Sequence, residues 1–340
     1  MASPLVDPRK HSGLPVSGDD RRVPCVSVVM NYYNEVENLN MAPRCLANQR
    51  FRDFEVVLVD DGSTDGTTEA IQREYSQRWP AYRLVRNDHR NGLRPARSIG
   101  VGSASGSVIV TLDVHTIFDE FFLERIVEAY RHNTDAGVVG SLILPLPHAW
   151  YFQGMAALER TSARLRRFFP GYSYVFGAAA SYRASVVRVL GGLSENEVVE
   201  DVDFCHRAGK AGFKIIFLPE NVVYHRQKQG FRSFLKRLLT TGFDAAFVAI
   251  AHKARIIYPQ YAVRLLSVPL LIAFLLFFPV GTLLVCPLLI VIYLLLARYA
   301  DSRSTWKELA CSLPLLPIFL LMTWIGILCG FIYAAVRSNS

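Results

Sequence analysis

The chain has 340 residues, a net charge of +8 and 51% hydrophobic residues. That length allows one large domain or two ordinary ones. Six scattered cysteines without a C-x-x-C pair exclude a disulfide framework and a zinc ribbon, and read as reduced structural thiols. The polar N-terminus lacks an apolar core, which excludes a signal peptide there.

Residues 1–22, rich in Pro, Gly and Ser, are expected to be disordered. Val23 to Met30 reads as a buried strand, followed by a helix with Asn34 as N-cap and Glu35 and Glu37 in its first turn. Phe54 to Val59 is a second strand, running into Asp60-Asp61-Gly62-Ser63-Thr64-Asp65-Gly66. Tyr82 to Val85 is a third strand, Gly92 to Ala104 a helix, Val108 to Leu112 a fourth strand, Asp119 to His132 a helix and Ala136 to Leu144 a strand. Strands alternating with helices imply βαβ units and an α/β, Rossmann-like, mostly parallel sheet.

Trp150 to Phe169 interleaves Arg160, Arg164, Arg166 and Arg167 with aromatic and aliphatic residues. That pattern fits a helix at a membrane surface or a domain helix with a solvated basic face. Tyr174 to Ala180 is a strand or a substrate loop, and Arg183 to Leu190 a short helix ended by Gly191-Gly192. Glu200 to Ala211 is a helix opening on acids, and Phe213 to Leu218 and Val222 to His225 are strands. Phe231 to Ile250 reads as an interfacial helix.

Residues 226–264 hold eight Lys/Arg against one acid, Asp244. Directly before an apolar run, this charge fits anionic lipid headgroups on the cytoplasmic side and argues against nucleic acid as a partner. Residues 265–297 and 309–336 are uncharged. The first run would be about 50 Å long as one helix, against an apolar bilayer core of about 30 Å. Pro279-Val280-Gly281 breaks it, giving two or three transmembrane helices in all. The organisation expected is a domain at 23–226, a basic interfacial region at 227–264 and a membrane region at 265–336, in a multi-pass cell-membrane protein whose larger domain is cytoplasmic.

Four constellations carry chemistry. Asp60 and Asp61 end a strand at a Gly-rich turn, suited to accept from ribose hydroxyls or a base N–H, or simply to cap the turn. Asp113 and His115 share one face at the next acidic strand end, an incomplete ligand set for Mg²⁺ or Mn²⁺ on a diphosphate; the plainer alternative is a helix cap and a solvated histidine. Glu200-Asp201-Val202-Asp203 opens a helix: Asp201 is the candidate general base and Glu200 its support, against a reading as helix-dipole caps. Arg97, in Asn91 to Arg97, is a candidate contact to the diphosphate or base. His225, after a strand end, is a further candidate metal or diphosphate contact.

Taken together, SVVMNYYNE (27–35), VLVDDGSTDGT (57–67), NGLRPARSIGVGSASGSVIVTLDVHT (91–116), GAAASYRASVVRVLGGLSE (177–195) and EDVDFCHRAGKAGFKIIFLPENVVYHR (200–226) resemble the family 2 inverting glycosyltransferases of the GT-A fold. The resemblance covers roughly residues 24–226 and implies a nucleotide-diphosphate sugar donor, a divalent metal (Mn²⁺ or Mg²⁺) on a D-x-D motif and a catalytic Asp in an E-D motif. With the constellations above, the candidates are Asn34, Glu35, Asp60, Asp61, Arg97 and Asp113 for donor binding, Asp113, His115 and His225 for the metal, and Asp201 with Glu200 for catalysis. Two departures stand out: Asn31 replaces the usual Pro of P-x-Y-N-E, and His115 replaces the second acid of D-x-D. A D-x-H version is similar to that of membrane-tethered succinoglycan-type exopolysaccharide glucosyltransferases. No Q-x-x-R-W motif of processive synthases is present. The expectation is transfer of a single sugar to a lipid-linked glycan. The alternatives are a polyprenyl-phosphate sugar synthase and a catalytically inactive GT-A binding or assembly subunit.

Overall fold

A computed structural model describes residues 24–165, 175–194, 200–251 and 305–337, with short pieces between 290 and 298. The expected N-terminal disorder at 1–22 and most of the apolar run at 265–297 lie outside the described residues. Contacts divide the chain into two units: residues up to Ile143 with Ser173–Arg226, and Leu144–Tyr172 with Gln227–Ser340.

The first unit is built on β1 (Val26–Tyr32), β2 (Phe54–Asp60), β3 (Tyr82–Arg86) and β4 (Val108–Asp113). β1 pairs in parallel with β2 and β4, and β2 with β3. β1 and β2 are buried throughout, and β4 up to its last residue, which is why they read as unbroken apolar, β-branched runs. The sheet continues through β5 (Thr116–Phe118), β6 (Ala136–Pro145), β7 (Ala179–Arg183) and β8 (Lys214–His225), in the order β3-β2-β1-β4-β7-β6-β8-β5. β7 runs antiparallel to both β4 and β6, and β5 antiparallel to β8.

Side chains alternate between two cores. Val28, Met30, Leu58, Val110 and Leu112 face one side with Leu46, Ile71 and Phe122, from α1 (Ala42–Ala47), α2 (Thr67–Tyr75) and α4 (Phe122–His132). Val29, Val57, Val59 and Ile109 face the other with Ala96, Val186 and Phe204, from α3 (Leu93–Ser103), α6 (Ala184–Val189) and α7 (Glu200–Lys210). The register aligns Tyr32 with Asp60, and Asn31 with Asp113. The carboxyl ends of the central strands therefore form one edge, where open α/β sheets take ligands.

Four local readings differ. Asn34 caps no helix; it sits at φ +53° before a 3₁₀ turn over Val36–Asn38, and the first α-helix starts at Ala42. β8 is one strand through Pro219, where two were expected, because Pro219 and Glu220 fall on an exposed stretch that tolerates a missing donor. β7 begins only at Ala179, so within the stretch read as a strand or a substrate loop residues 175–178 are loop. The three-residue β5 was not anticipated.

The second unit holds α5 (Trp150–Leu165), α8 (Phe231–Ala251), α9 (Trp306–Ser312) and α10 (Leu315–Arg337). Tyr151, Phe152, Phe234, Leu238 and Leu315 form its core, so α8 buries Phe234 and Leu238 while Phe231 at its start is exposed. Gly154 lets α5 approach the Cys311 carbonyl, and Arg160 pairs with Glu308 at 3.0 Å. Thr305 and Glu308 close a capping box on α9. Among the residues whose side chains are described, no helix is long and apolar enough to cross a membrane; α10 reaches 23 residues but includes positions outside that set.

Gly106 passes close to the β1 backbone, since a Cβ there would meet the Ser27 nitrogen at 2.6 Å. Gly106→Ala is expected to cost about 1–3 kcal/mol in urea unfolding. Gly102→Ala, whose Cβ meets nothing within 4 Å on α3, should instead gain about 0.5–1 kcal/mol.

Candidate active site

Three acidic segments meet at the carboxyl edge. Asp60 ends β2, fully buried, and its oxygens are already engaged: Oδ1 accepts the Ser63 N–H at 2.7 Å, while Oδ2 accepts the Thr68 hydroxyl at 2.7 Å and lies 3.2 Å from Arg86 Nε. Asp61 Oδ1 accepts from Asn87 Nδ2 and the Asn91 N–H, both at 2.9 Å, and Oδ2 accepts the Gly92 N–H at 2.8 Å. This pair shapes the two loops around the turn. Gly62, at φ +80°, passes so close to the His89 carbonyl carbon that a Cβ would sit 3.0 Å away.

Asn34 joins the same assembly, its N–H donating to Ser63 Oγ at 3.1 Å and its Oδ1 accepting the Thr64 N–H at 2.9 Å. Glu35 follows with its N–H on Thr67 Oγ1 at 2.9 Å. Its side chain leaves that loop, and Oε1 lies 3.4 Å from His115 Nδ1.

Asp113 is the last residue of β4. Its Oδ1 takes Arg97 Nη2 at 3.1 Å, and its Oδ2 lies 3.2 Å from His225 Nε2. Burial by itself would raise the Asp113 carboxyl; the His225 hydrogen bond and the charges of Arg97 and His115 hold it well below the usual carboxylate range. The His115 and His225 rings meet edge to face with centroids 4.5 Å apart. One donor atom each from Asp113, His115 and His225 fall within 4.8 Å of one another. The β5–β8 ladder makes this cluster, because Thr116 pairs with His225 and the Arg226 N–H donates to the His115 carbonyl at 2.9 Å.

Arg97 points inward. It is 4% exposed and joins two acids, Asp113 through Nη2 and Glu200 through Nη1. Glu200 and Asp201 lie in the first turn of α7 and are nearly buried. Asp201 Oδ2 accepts the Gly177 N–H at 2.6 Å and Oδ1 the Val202 N–H at 2.8 Å. Burial, followed by the adjacent Glu200 charge, pushes Asp201 up to about 6, against the pull of the Gly177 N–H and Arg97. Asp203 turns away to Arg207, at 2.7 Å, and Arg207 also clips the Leu190 and Gly192 carbonyls behind α6.

The predicted residues thus form two neighbouring groups. Asn34, Asp60 and Asp61 build the turn, while Glu35, Arg97, Asp113, His115, His225, Glu200 and Asp201 are linked through ion pairs, ring contact and adjacency in sequence. Gly177 was not anticipated as part of the site. A Cβ there would collide with Arg97 Nη1 and approach Asp201 Oδ2 at 3.4 Å; the only sequence signal was a glycine ahead of three alanines.

Residues 27–191 match the family described as Glycosyl transferase family 2. The chain is similar to glycosyltransferase AglE of Haloferax volcanii, 27% identical over 227 residues, 65% of this chain and 72% of that protein. It is 30% identical over 182 residues to an undecaprenyl-phosphate 4-deoxy-4-formamido-L-arabinose transferase of Edwardsiella ictaluri, covering 51% of this chain and only 53% of that one. A mannosyltransferase of Pyrobaculum calidifontis, solved with GDP-Man and Mn²⁺, superposes with a TM-score of 0.61 at 19% identity over 94% of this chain and 92% of that one. At that identity the likeness shows a shared fold.

The raised Asp201 has a thermodynamic signature. Its folded pKa of about 6 exceeds the ordinary value of 3.8, so the stability it contributes is present below pH 4 and lost as pH rises through 6. Between pH 4 and pH 7.5 the stability difference between Asp201→Asn and wild type is therefore expected to move in favour of the variant by up to about 3 kcal/mol, because the amide does not ionise. Urea unfolding at both pH values measures it.

Proposed function

This chain carries a family 2 glycosyltransferase domain over residues 27–191, on a GT-A α/β fold, and from that premise we infer that it moves one sugar from a nucleotide-diphosphate sugar to a hydroxyl of a lipid-linked glycan, with inversion and with a divalent cation. The observation that carries this reading is Asp201: a buried carboxylate at a helix N-terminus, pushed up to about 6 and tied through Glu200 and Arg97 to Asp113. A carboxylate with a pKa that close to neutrality stays ionised at pH 7 and is a competent proton acceptor.

In this mechanism Asp201 takes the proton of the acceptor hydroxyl as its oxygen attacks the anomeric carbon from the face opposite the diphosphate. The new C–O bond forms as the old one breaks, its electron pair leaving on the diphosphate. The site ends with protonated Asp201, the glycoside and a nucleoside diphosphate. Burial and then the like charge of Glu200 raise the basicity of Asp201, and Arg97 pairs with Glu200 beside it. Asp60, Asp61 and Asn34 hold the loops against which the nucleoside rests.

One carboxylate and two imidazoles within 4.8 Å suit Mn²⁺ better than Mg²⁺, and Asp113, His115 and His225 would hold the ion. When bound, it supplies charge stabilisation to the departing diphosphate. The Pyrobaculum mannosyltransferase, solved with GDP-Man and Mn²⁺, supports a nucleotide sugar and a divalent ion as the partners. The uncharged runs at 265–297 and 309–336, with the basic segment before them, support a multi-pass cell-membrane protein whose catalytic domain faces the cytoplasm.

The Edwardsiella undecaprenyl-phosphate transferase favours one second reading, in which the acceptor is a polyprenyl phosphate. A phosphate nucleophile is already ionised and needs no strong base, so the two readings part at Asp201. With a hydroxyl acceptor, Asp201→Asn should lower kcat by about 100- to 10,000-fold while leaving nucleotide binding intact. Activity retained in that variant with polyprenyl phosphate would select the second reading. For the donor, a UDP or GDP panel with Mn²⁺ should raise the Tm of the wild type and leave Asp113→Ala unmoved. No stabilisation by any nucleotide would overturn both readings.

A further inference from the structure

His115 stands where the family pattern places an acid, so the site has lost one formal negative charge. The structure returns a carboxylate to the same place by another route. Glu35 Oε1 lies 3.4 Å from His115 Nδ1, both side chains being half-buried. A proton on Nδ1 shared with that carboxylate would leave the lone pair of the ring on Nε2. Metal-binding histidines commonly have their second nitrogen held by a carboxylate, which fixes ring orientation and raises ligand basicity.

Glu35 is itself held from several sides. Its N–H is on Thr67 Oγ1 at 2.9 Å, and its Oε2 accepts from Asn38 Nδ2. Asn38 Oδ1 accepts from Arg226 Nη1 at 2.7 Å, and the Arg226 N–H binds the His115 carbonyl at 2.9 Å. The loop Arg226–Asn38–Glu35–His115 closes on itself, joining the loop after β1 to the end of β8. Such a closed loop leaves Glu35 little freedom to swing towards another ligand.

We propose that Glu35 is a positioning residue for His115: it orients the imidazole by Nδ1 and supplies, one bond network away, the negative charge that an aspartate at 115 would have brought to the cation. This rests on the reading of Asp113, His115 and His225 as the cation site. It separates Glu35 from the nucleotide-binding loop to which its neighbour Asn34 belongs, and gives this chain a cation site of Asp-His-His with a carboxylate behind one histidine.

The test is Mn²⁺ affinity by titration calorimetry on the full chain, with UDP and with GDP present, and needs no turnover. Wild type, Glu35→Gln, Glu35→Ala, His115→Asp and the double variant Glu35→Ala/His115→Asp are compared, with melting curves to confirm that each is folded. Glu35→Ala should weaken Mn²⁺ by about 10- to 100-fold, and Glu35→Gln by less, because an amide still orients the ring. In the His115→Asp background, removal of Glu35 should cost less than about 3-fold, since no imidazole remains to be held. Equal losses in the two backgrounds, or no loss in the first, would overturn the proposal while leaving the cation site standing. A wild type that binds no Mn²⁺ with either nucleotide would remove the cation site itself, and this inference with it.

Discussion

A single buried cation, Arg97, organises the carboxyl edge of the central strands. Arg97 is 4% exposed and lies between Asp113 on β4 and Glu200 on α7. Withdrawing a guanidinium from water costs several kcal/mol, and the cost is met only where the partners are in place. The helix bearing Arg97, the central strand and the acidic helix are therefore fixed relative to one another by charge as well as by packing. Gly177 has no side chain because Arg97 occupies that volume, and its freed backbone N–H binds Asp201. Closing one ion-pair network thus also positions the proposed base, Asp201.

The same cluster drives two carboxyls in opposite directions. Asp113 is surrounded by Arg97, His115 and His225 and is held ionised, while Asp201 has Glu200 beside it and is pushed towards neutrality. Environments that split the behaviour of neighbouring acids are how one site assigns different tasks to chemically identical groups. The aspartates at the end of β2 are different in kind. Asp60 and Asp61 spend their acceptors on Ser63, Thr68, Asn91 and Gly92, so they contribute the shape of a loop more than exposed charge.

The contiguous features were legible. The apolar runs of β1, β2 and β4 and their acidic ends lie within short windows, and the register of a parallel sheet then places Asp60 and Asp113 on one edge. The α/β class follows from the alternation alone. What stayed hidden is how the candidate residues meet across distant segments. His225 reaches Asp113 from 112 residues away because β5 and β8 pair, and a three-residue strand leaves almost no periodicity to read. Asn34 resembled a helix cap because cap residues and left-handed loop residues are drawn from the same few types; only its contacts to Ser63 and Thr64 decide between them. Arg97 read from its helix as a candidate ligand contact, and its burial depends on acids on other elements.

As the proposed cation site, the trio of Asp113, His115 and His225 has a consequence for the ions with which this protein coexists. Exchanging one carboxylate for imidazoles moves a site from hard towards borderline donors. On such ligands first-row affinity climbs from manganese towards nickel, copper and zinc. A cell supplying micromolar manganese and scarce zinc would fill the trio with the weaker binder by abundance alone, whereas trace zinc in a purification buffer, or nickel leached from an affinity column, would outcompete it. For this protein the history of the buffer becomes part of the chemistry of the site.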